Sequence, residues 1–324
     1  MTPGLQHRFF DAELMAELTG LVDLDPAVAI DDFGADDLAL ADVEVVVTSW
    51  GCPRLDEAAL DRMPRLRAVV HAAGSVKFIV TPALWDRQVV VTSGVALNAR
   101  PVAEFTLGAI LWAGKHVLPL AERFKADRIA PDLTVDDTIP GNYRSTVGVL
   151  GASATGRALI ELLRPFDLTV LVSDPTIDAA EASALGAELV GLDELFTRSG
   201  ILTVHAPLLP ETTHLVDGRL LARLPDGATV VNTARGPVID HDALRAELVA
   251  GRLLAILDVT EPEPLAADDP LWDLPNVTLT PHVAGSQGAE LLRLGHAAVD
   301  EVRALVEGRP PLRPVDGGAL ATSA

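Results

Sequence analysis

The chain has 324 residues, of which 49% are hydrophobic and 22% charged, a balance typical of a globular protein and a length sufficient for two domains. Its formal net charge of −21 argues strongly against binding to nucleic acid, which requires basic patches, and against binding to an anionic membrane surface. The chain has one cysteine, no signal-peptide-like N-terminus and no apolar run near the ~20 residues of a membrane span, so we expect a soluble cytoplasmic protein.

The first third of the chain alternates short apolar runs with a helix-like segment. Strands are predicted over 43–48, 66–71 and 88–93. Residues 55–63, between the first two strands, have helical spacing. This βαβ alternation predicts a parallel sheet covered by helices.

A helix is predicted after the third strand. It would begin near Asn98 or Arg100, with Pro101 in its first turn. Its apolar stripe would consist of Val102, Phe105, Ala109 and Trp112.

A second, longer alternation begins at Thr146. Strands are predicted over 146–150, 168–173, 201–205, 228–232, 253–258 and 277–280. Six strands in this rhythm fit a Rossmann domain, and a final helix is predicted over about 287–307.

The first strand of this series turns into a helix through a partial G-x-G-x-x-G motif. Gly151 and Gly156 occupy the outer positions, and Ser153 stands at the middle one. The next strand ends in Asp174, an acid that can bind the adenosine ribose of NAD and repel the extra phosphate of NADP. The turn alone would equally fit an ordinary tight turn, and Asp174 a turn residue before Pro175. Strand, turn, helix, strand and acid in this order predict NAD binding.

Three later strands each end in polar side chains. These are Arg235, then Asp258 with Glu263, then His282. The carboxyl ends of parallel strands are where ligands bind in open α/β sheets. A fixed cation can hold a carboxylate, and a histidine beside a carboxylate can move protons near neutral pH. Taken singly, Arg235 would also fit a surface ion pair and His282 a strand-end cap; together they predict a catalytic site.

Together these residues resemble the D-isomer-specific 2-hydroxyacid dehydrogenase family. The matching segments are 148–157, 204–212, 232–236, 258–264 and 280–285. The resemblance implies an α/β protein with two Rossmann/flavodoxin-like parallel-sheet domains and an active-site cleft between them. The substrate-binding (catalytic) domain would comprise 1–98 plus 286–324, and the NAD-binding Rossmann domain 99–285.

The resemblance also implies roles for single residues. Arg235 would bind the substrate carboxylate, His282 would be the acid/base, and Glu263 would be its partner. The family's Glu-Pro pair, five residues after the aspartate, selects Glu263 over Glu261. Gly74 and Ser75 would offer backbone N–H groups to the substrate, and no metal is expected.

The cofactor-binding residues implied by the resemblance extend along the whole NAD-binding domain. They are Gly151, Ser153, Ala154, Thr155, Gly156, Asp174, His205, Pro207, Thr212, Thr233, Ala234, Arg235, Asp258, His282 and Gly285. Asp258 would hold the nicotinamide carboxamide. His205 is expected to be a structural or cofactor-lining residue rather than a proton carrier.

One departure from the family pattern lies beside the substrate residues. Lys77 stands where the family usually carries an aspartate. It would either add a second cation beside Arg235 and favour dianionic substrates, or lie at the surface.

Three functions are weighed; the one ranked lowest is a formate dehydrogenase of the same family, in which glutamine would be expected in place of Glu263. The first is an NAD-dependent oxidoreductase that interconverts a D-2-hydroxy acid and its 2-oxo acid by hydride transfer, with a small-molecule substrate. It would act as a homodimer, because the family usually pairs through its cofactor domains and the helix at 101–112 is apolar enough to contribute. The alternative is a non-enzymatic dinucleotide-sensing protein, as the family's corepressors are; the intact Arg235, Glu263 and His282 argue against it.

Overall fold

The computed structural model describes residues 1–36, 38–130, 132 and 139–318. These residues form two compact units: one is built from Met1–Ala99 and the segment that begins at Ser286, and the other from Arg100–Gly285. Residues 319–324, which the sequence analysis assigns to the first domain, lie outside the described residues. Across the described part of the chain, no helix combines the length and the apolar character needed to cross a membrane.

The first unit contains a three-stranded parallel sheet with β2 in the middle. Its elements are α1 (Gln6–Phe9), α2 (Ala12–Leu21), β1 (Val45–Thr48), α3 (Glu57–Asp61), β2 (Ala68–His71), α4 (Pro82–Asp86) and β3 (Val90–Ser93). The strands are rich in valine and largely buried, as suits a covered parallel sheet. All three predicted strands are present, each beginning two residues later than predicted; neither α1 nor α2 was predicted.

The second unit contains a seven-stranded parallel sheet. Its elements are α5 (Val95–Ala113), which contains the boundary between the units, then α6 (Val117–Asp127), β4 (Thr146–Leu150), α7 (Ala154–Leu163), β5 (Thr169–Ser173), α8 (Ala179–Leu185), β6 (Glu188–Leu189), α9 (Leu192–Arg198), β7 (Ile201–Val204), α10 (Gly218–Leu221), β8 (Thr229–Asn232), α11 (His241–Val249), β9 (Leu254–Leu257) and β10 (Val277–Leu279). The strand order is β10-β9-β8-β7-β4-β5-β6. One buried cluster packs α9, α10 and α11 on one face, and another packs α5, α7 and α8 on the other.

The prediction of six strands in this sheet missed β6. This strand has only two residues and pairs with the edge of β5. Glu188 is exposed, so the strand leaves no apolar run in the sequence. Tertiary pairing alone therefore defines it.

The predicted start of α5 is wrong, and its predicted apolar face is wrong at Trp112. The helix begins at Val95, whose N–H donates to Ser93 Oγ at 3.1 Å, so Pro101 lies inside the helix rather than in its first turn. Its buried residues include Ala103, Thr106, Ile110 and Ala113. Of the predicted stripe, Ala109 is buried, Val102 and Phe105 are partly buried, and Trp112 is 53% exposed. Small residues, rather than the large ones in the sequence, allow the helix to approach the sheet.

The last helix, α12 (Glu290–Val306), packs against α1 and α2 in the first unit. Gly295 lies on its buried face, and a Cβ built there would stand 1.8 Å from the carbonyl oxygen of Phe9. Because that oxygen belongs to backbone, it cannot move aside as a side chain could. The contact requires glycine at this position.

We predict that Gly295→Ala destabilises the protein by about 3 kcal/mol, because the added methyl group overpacks a backbone contact. Gly20→Ala is the matched control, since a Cβ at Gly20 in α2 meets nothing within 4 Å. The control should be neutral or stabilise by up to ~1 kcal/mol. Urea unfolding of both variants measures the difference; equal effects would contradict the packing argument.

Two buried histidines stand at strand ends, one in each unit. Burial is the main cause that lowers the pKa of His71 to about 4 and of His205 to about 3. His71 Nδ1 lies 2.9 Å from Thr48 Oγ1, and His205 Nε2 lies 2.9 Å from Thr203 Oγ1. Both imidazoles are therefore neutral when the protein is folded at neutral pH.

The low pKa of folded His205 predicts a loss of stability in acid. Between its unfolded value near 6.5 and about 3, the unfolded chain binds a proton that the folded chain does not, so the free energy of unfolding falls as the pH drops. The loss in the free energy of unfolding due to His205 approaches ~1.4 kcal/mol per pH unit. His205→Gln should therefore lose less stability than the wild type between pH 6 and pH 4. The free energy of unfolding of each protein is measured by urea unfolding at each pH. An equal dependence on pH in the wild type and in His205→Gln would contradict the prediction.

Candidate active site

The candidate site lies at the carboxyl edge of the second sheet, where β8, β9 and β10 end side by side. Their register places Asn232 opposite Leu257, and Leu257 opposite Leu279. The polar segment that follows each strand therefore begins at the same level. This brings together the loops that carry Arg235, Glu263 and His282, three residues singled out by the sequence.

Asp258, directly after β9, is buried to 2% exposure and organises the loop that follows β10. Its Oδ1 accepts hydrogen bonds from Thr280 Oγ1 at 2.6 Å and from the N–H of Val283 at 2.8 Å. Its Oδ2 accepts one from the N–H of Ala284 at 2.9 Å. The loop thus folds around one carboxylate.

His282 stands in the middle of this loop with a left-handed backbone, at φ 54°. Left-handed φ is uncommon for a residue other than glycine, and its cost is met by surrounding contacts. The His282 N–H donates to the carbonyl oxygens of Asp258 and Thr280, both at 3.0 Å. The flanking bonds to the Asp258 carboxylate hold the same turn.

The imidazole of His282 pairs with Glu263. Nδ1 lies 2.7 Å from Oε1, and the two side chains are 51% and 43% exposed. A carboxylate is an acceptor, so the neutral ring carries its proton on Nδ1 and leaves Nε2 unprotonated. The other nearby glutamate, Glu261, instead lies 3.1 Å from His214 Nε2.

Arg235 follows β8 and is largely buried. Burial lowers the pKa of its guanidinium below the ordinary value, and the negative charge of Glu263 partly offsets this. Its Nη1 donates to the carbonyl oxygen of Ala234 at 2.6 Å. The side chain thus supplies a partly desolvated cation near Glu263.

Two residues of the same segment hold its backbone in place. The buried side chain of Asn232 accepts from the N–H of Ala234 and donates to the carbonyl oxygen of Arg235, each at 3.0 Å. A Cβ at Gly236 would stand 2.0 Å from the carbonyl oxygen of Thr260. Glycine here lets the loops after β8 and β9 touch.

Thr233 is anchored by a side chain of α5. Its Oγ1 lies 2.9 Å from Thr106 Oγ1 on α5, and the Thr106 hydroxyl donates to the carbonyl oxygen of Val102 at 2.7 Å. Thr106 Oγ1 therefore accepts a hydrogen bond from the Thr233 hydroxyl. The sequence analysis missed Thr106, which acts through a tertiary contact, and gave no role to Asn232, which holds the turn that follows it.

The glycine turn has the close approaches that its motif predicts. Gly151 has φ 99°, and a Cβ there would stand 2.6 Å from the backbone nitrogen of Ala206. A Cβ at Gly156 would stand 2.1 Å from the carbonyl oxygen of Gly151. Ser153, at the middle position, has an ordinary extended backbone and accepts from the Gly156 N–H at 3.4 Å. Serine is therefore tolerated as the N-cap of α7.

Asp174 ends β5 beside this turn. Its Oδ2 accepts from the N–H of Ala152 at 2.6 Å, and its Oδ1 accepts from the N–H and hydroxyl of Thr176. The carboxylate is thus fixed beside the first residues of α7, Ala154 and Thr155. Helix N-termini of this kind bind anions.

The remaining cofactor candidates lie in the segment after β7 and at the end of the His282 loop. Thr212 Oγ1 donates to the carbonyl oxygen of Pro207 and accepts from the N–H of Leu209 at 2.8 Å. His205, by contrast, is buried and neutral, as described above. Gly285 closes the second unit after the His282 loop.

Two predicted substrate residues, Gly74 and Ser75, lie in the first unit, in the loop after β2. The carbonyl oxygen of Gly74 accepts from Ser93 Oγ at 2.6 Å, and Ser75 Oγ accepts from the N–H of Lys77 at 3.4 Å. Lys77 is partly buried. The loop follows the carboxyl end of the smaller sheet.

Comparison with known proteins identifies the family. Residues 107–284 match the model of the D-isomer specific 2-hydroxyacid dehydrogenase, NAD binding domain. Glyoxylate/hydroxypyruvate reductase B of Pectobacterium carotovorum is 31% identical over 272 residues, which cover 83% of this chain and 84% of that protein.

D-3-phosphoglycerate dehydrogenase of Mycobacterium tuberculosis is also 31% identical, over 269 residues and 82% of this chain. The chain spans about half the length of this relative (50%). Among solved structures, D-lactate dehydrogenase of Aquifex aeolicus, complexed with NAD and lactic acid, superposes with a TM-score of 0.71 at 26% identity, covering 92% of this chain and 93% of that one.

These findings confirm the predicted family, the α/β class with parallel sheets and NAD as the cofactor. The chain belongs to the D-isomer specific 2-hydroxyacid dehydrogenase family.

Proposed function

We propose that the protein is an NAD-dependent oxidoreductase that interconverts a D-2-hydroxy acid and its 2-oxo acid. The observation that carries the proposal is the pair of His282 Nδ1 and Glu263 Oε1 at 2.7 Å, half-exposed at the carboxyl edge of the NAD-binding sheet. Arg235, whose charge interacts with Glu263, adds a cation to the same edge. A proton carrier, its fixed partner and a carboxylate-binding cation are the three groups that this reaction requires.

The residues around the glycine turn fit NAD. The first turn of α7, with Ala154 and Thr155, offers backbone N–H groups to the pyrophosphate, and Asp174 offers its carboxylate to the ribose hydroxyls. Gly151 and Gly156 keep this turn close to its neighbours. When bound, NAD supplies the group that accepts or donates the hydride.

His282 handles the proton through Nε2, because Glu263 holds the proton on Nδ1. In reduction of the 2-oxo acid, the imidazolium donates its Nε2 proton to the carbonyl oxygen; in oxidation, neutral Nε2 accepts the hydroxyl proton. Glu263 stabilises the charged ring and fixes its orientation. The left-handed backbone of His282 is part of the same arrangement.

Arg235 binds the substrate carboxylate and stabilises charge that develops on the neighbouring oxygen. Because its guanidinium is partly desolvated, its attraction for an anion is stronger than in water. Gly74 and Ser75 contribute backbone N–H groups to the substrate. Their loop, after β2, belongs to the first unit.

The first experiment is a screen of NADH oxidation with 2-oxo acids. Glyoxylate and hydroxypyruvate come first, because the reductase B relative, 31% identical over 83% of this chain, is named for these two substrates. Turnover is the expected result. NADH binding without turnover of any 2-oxo acid would favour the dinucleotide-sensing alternative.

We predict that Glu263→Gln lowers kcat by about 10² or more, since the amide neither stabilises the imidazolium nor enforces the Nδ1–H form of His282. Glu261→Gln is the matched control, because Glu261 pairs with His214 in the same segment. The control should keep kcat within a few-fold. Equal losses in steady-state kinetics would show that the segment, and not the Glu263 charge, matters.

We predict a preference for NADH over NADPH that depends on Asp174. A fixed carboxylate repels the 2′-phosphate, so Asp174→Asn should reduce the ratio of the two kcat/KM values by about tenfold or more. An NADPH preference in the wild type, or an unchanged ratio in the variant, would show that another residue selects the cofactor.

We also propose a homodimer that pairs through the second unit. Trp112 on α5 and Phe124 on α6 are each 53% exposed, and large exposed aromatic side chains mark protein interfaces. Light scattering at micromolar concentration should give twice the 34.1 kDa chain mass. Trp112→Ala should weaken the dimer, whereas Trp272→Ala, which removes a similarly exposed tryptophan outside these helices, should not. A monomer mass would refute the proposal.

A further inference from the structure

We infer that the Asp258 carboxylate is a positioning group that sets the orientation and tautomer of His282, in addition to any contact with the cofactor. The inference rests on the proposed function only in calling His282 the proton carrier. Its structural basis is the set of three hydrogen bonds that the carboxylate accepts from Thr280, Val283 and Ala284. His282 stands between these donors in the chain, and its own N–H donates to the backbone carbonyl oxygen of Asp258.

The chemistry of the donors makes a carboxylate necessary. All three donors are neutral and approach both carboxylate oxygens, so they demand two acceptor atoms in one plane. A carboxylate has about four acceptor positions and no proton to donate. An amide at position 258 would keep one acceptor and turn an N–H toward a donor, which costs a buried hydrogen bond.

The backbone geometry of His282 follows from these three hydrogen bonds to the Asp258 carboxylate, which we call the Asp258 cap. The N–H groups of residues 283 and 284 point back at Asp258, which bends the chain at His282 into the left-handed region. That bend, together with the bonds from the His282 N–H to the carbonyl oxygens of Asp258 and Thr280, directs the imidazole to Glu263. Without the cap, the turn would relax toward an ordinary backbone and Nδ1 would leave Oε1.

Asp258 Oδ2 accepts from the N–H of Ala284 and retains further acceptor capacity. Asp258 would also hold the carboxamide of a bound nicotinamide. One carboxylate would then hold both the loop of the proton carrier and the cofactor ring. A loss of activity on mutation of Asp258 alone therefore does not separate the two roles, and a second position is needed.

Thr280 supplies that position. Thr280→Val removes only the hydroxyl that donates to Asp258 Oδ1 and leaves the carboxylate itself unchanged. Asp258→Asn removes the second acceptor. The matched controls are Thr197→Val, which removes a hydroxyl bonded to a carbonyl oxygen on α9, and Asp240→Asn, which alters a carboxylate that caps α11 through two N–H groups.

The decisive measurement is the tautomer of His282 in the NAD-free protein. Long-range ¹H–¹⁵N spectra of histidine-labelled protein at pH 8 report which ring nitrogen carries the proton, and His282→Gln assigns the signal. Wild type should show the Nδ1–H form. Asp258→Asn and Thr280→Val should both lose it in favour of Nε2–H, and both controls should keep it.

The kinetic measurement is then made on the same four variants. Thr280→Val should lower kcat by about tenfold while its NADH dissociation constant stays within about twofold. Asp258→Asn should lower kcat further and weaken NADH binding as well.

An Nδ1–H signal retained in both Asp258→Asn and Thr280→Val would overturn the inference, whatever their activity. If Asp258→Asn does not fold, Thr280→Val decides the question. A tautomer change in a protein that turns over no 2-oxo acid would support the positioning role and reject the proposed function.

Discussion

Parallel pairing of β8, β9 and β10 fixes where the reactive side chains emerge. Because the three strands end at one level, three segments distant in sequence leave the sheet as neighbours. The loops can then lie against each other only if one of them lacks a side chain. Gly236 meets this condition, since its α-carbon passes the carbonyl oxygen of Thr260 where no Cβ would fit. The geometry of Arg235 and Glu263 depends on that contact.

Polar groups buried at this edge act mainly by fixing backbone. Asn232 holds the turn of Arg235, and Asp258 holds the turn of His282. Each satisfies N–H or C=O groups that the ends of the strands leave unpaired, and an unpaired buried group would cost about 1–3 kcal/mol. The same hydrogen bonds that stabilise the loops therefore orient the groups that we propose to act on substrate. Stability and the geometry of the candidate site share these residues.

Sequence reasoning predicted the elements that carry their own local signal. Buried β-branched runs predicted nine strands whose bounds lie within two residues of the observed ones. The remaining strand, β6, has two residues and depends on its pairing with β5. The start of α5 was predicted too late, because Ser93, whose hydroxyl accepts from the N–H of Val95, was assigned to the end of a strand and not to the start of a helix. The residue types of the candidate site were predicted from motifs. Their supports, Thr106 and Thr280 among them, were not, because a hydrogen bond across 127 residues leaves no pattern in the chain.

The strong negative charge of the chain bears on how the anionic substrate of the proposed function would be bound. A net charge of −21 repels a 2-oxo acid at long range, but at physiological ionic strength this repulsion is screened beyond about 8 Å. Within that distance the local groups decide. Arg235 is partly buried, so its attraction is less screened than the repulsion from exposed carboxylates at the surface. Glu263 lies close enough to affect Arg235, and its charge is partly neutralised whenever His282 is protonated. Under the proposed function, protonation of His282 would thus prepare the site for reduction in two ways: it would supply the proton, and it would make the edge of the sheet more favourable for the anion that receives it.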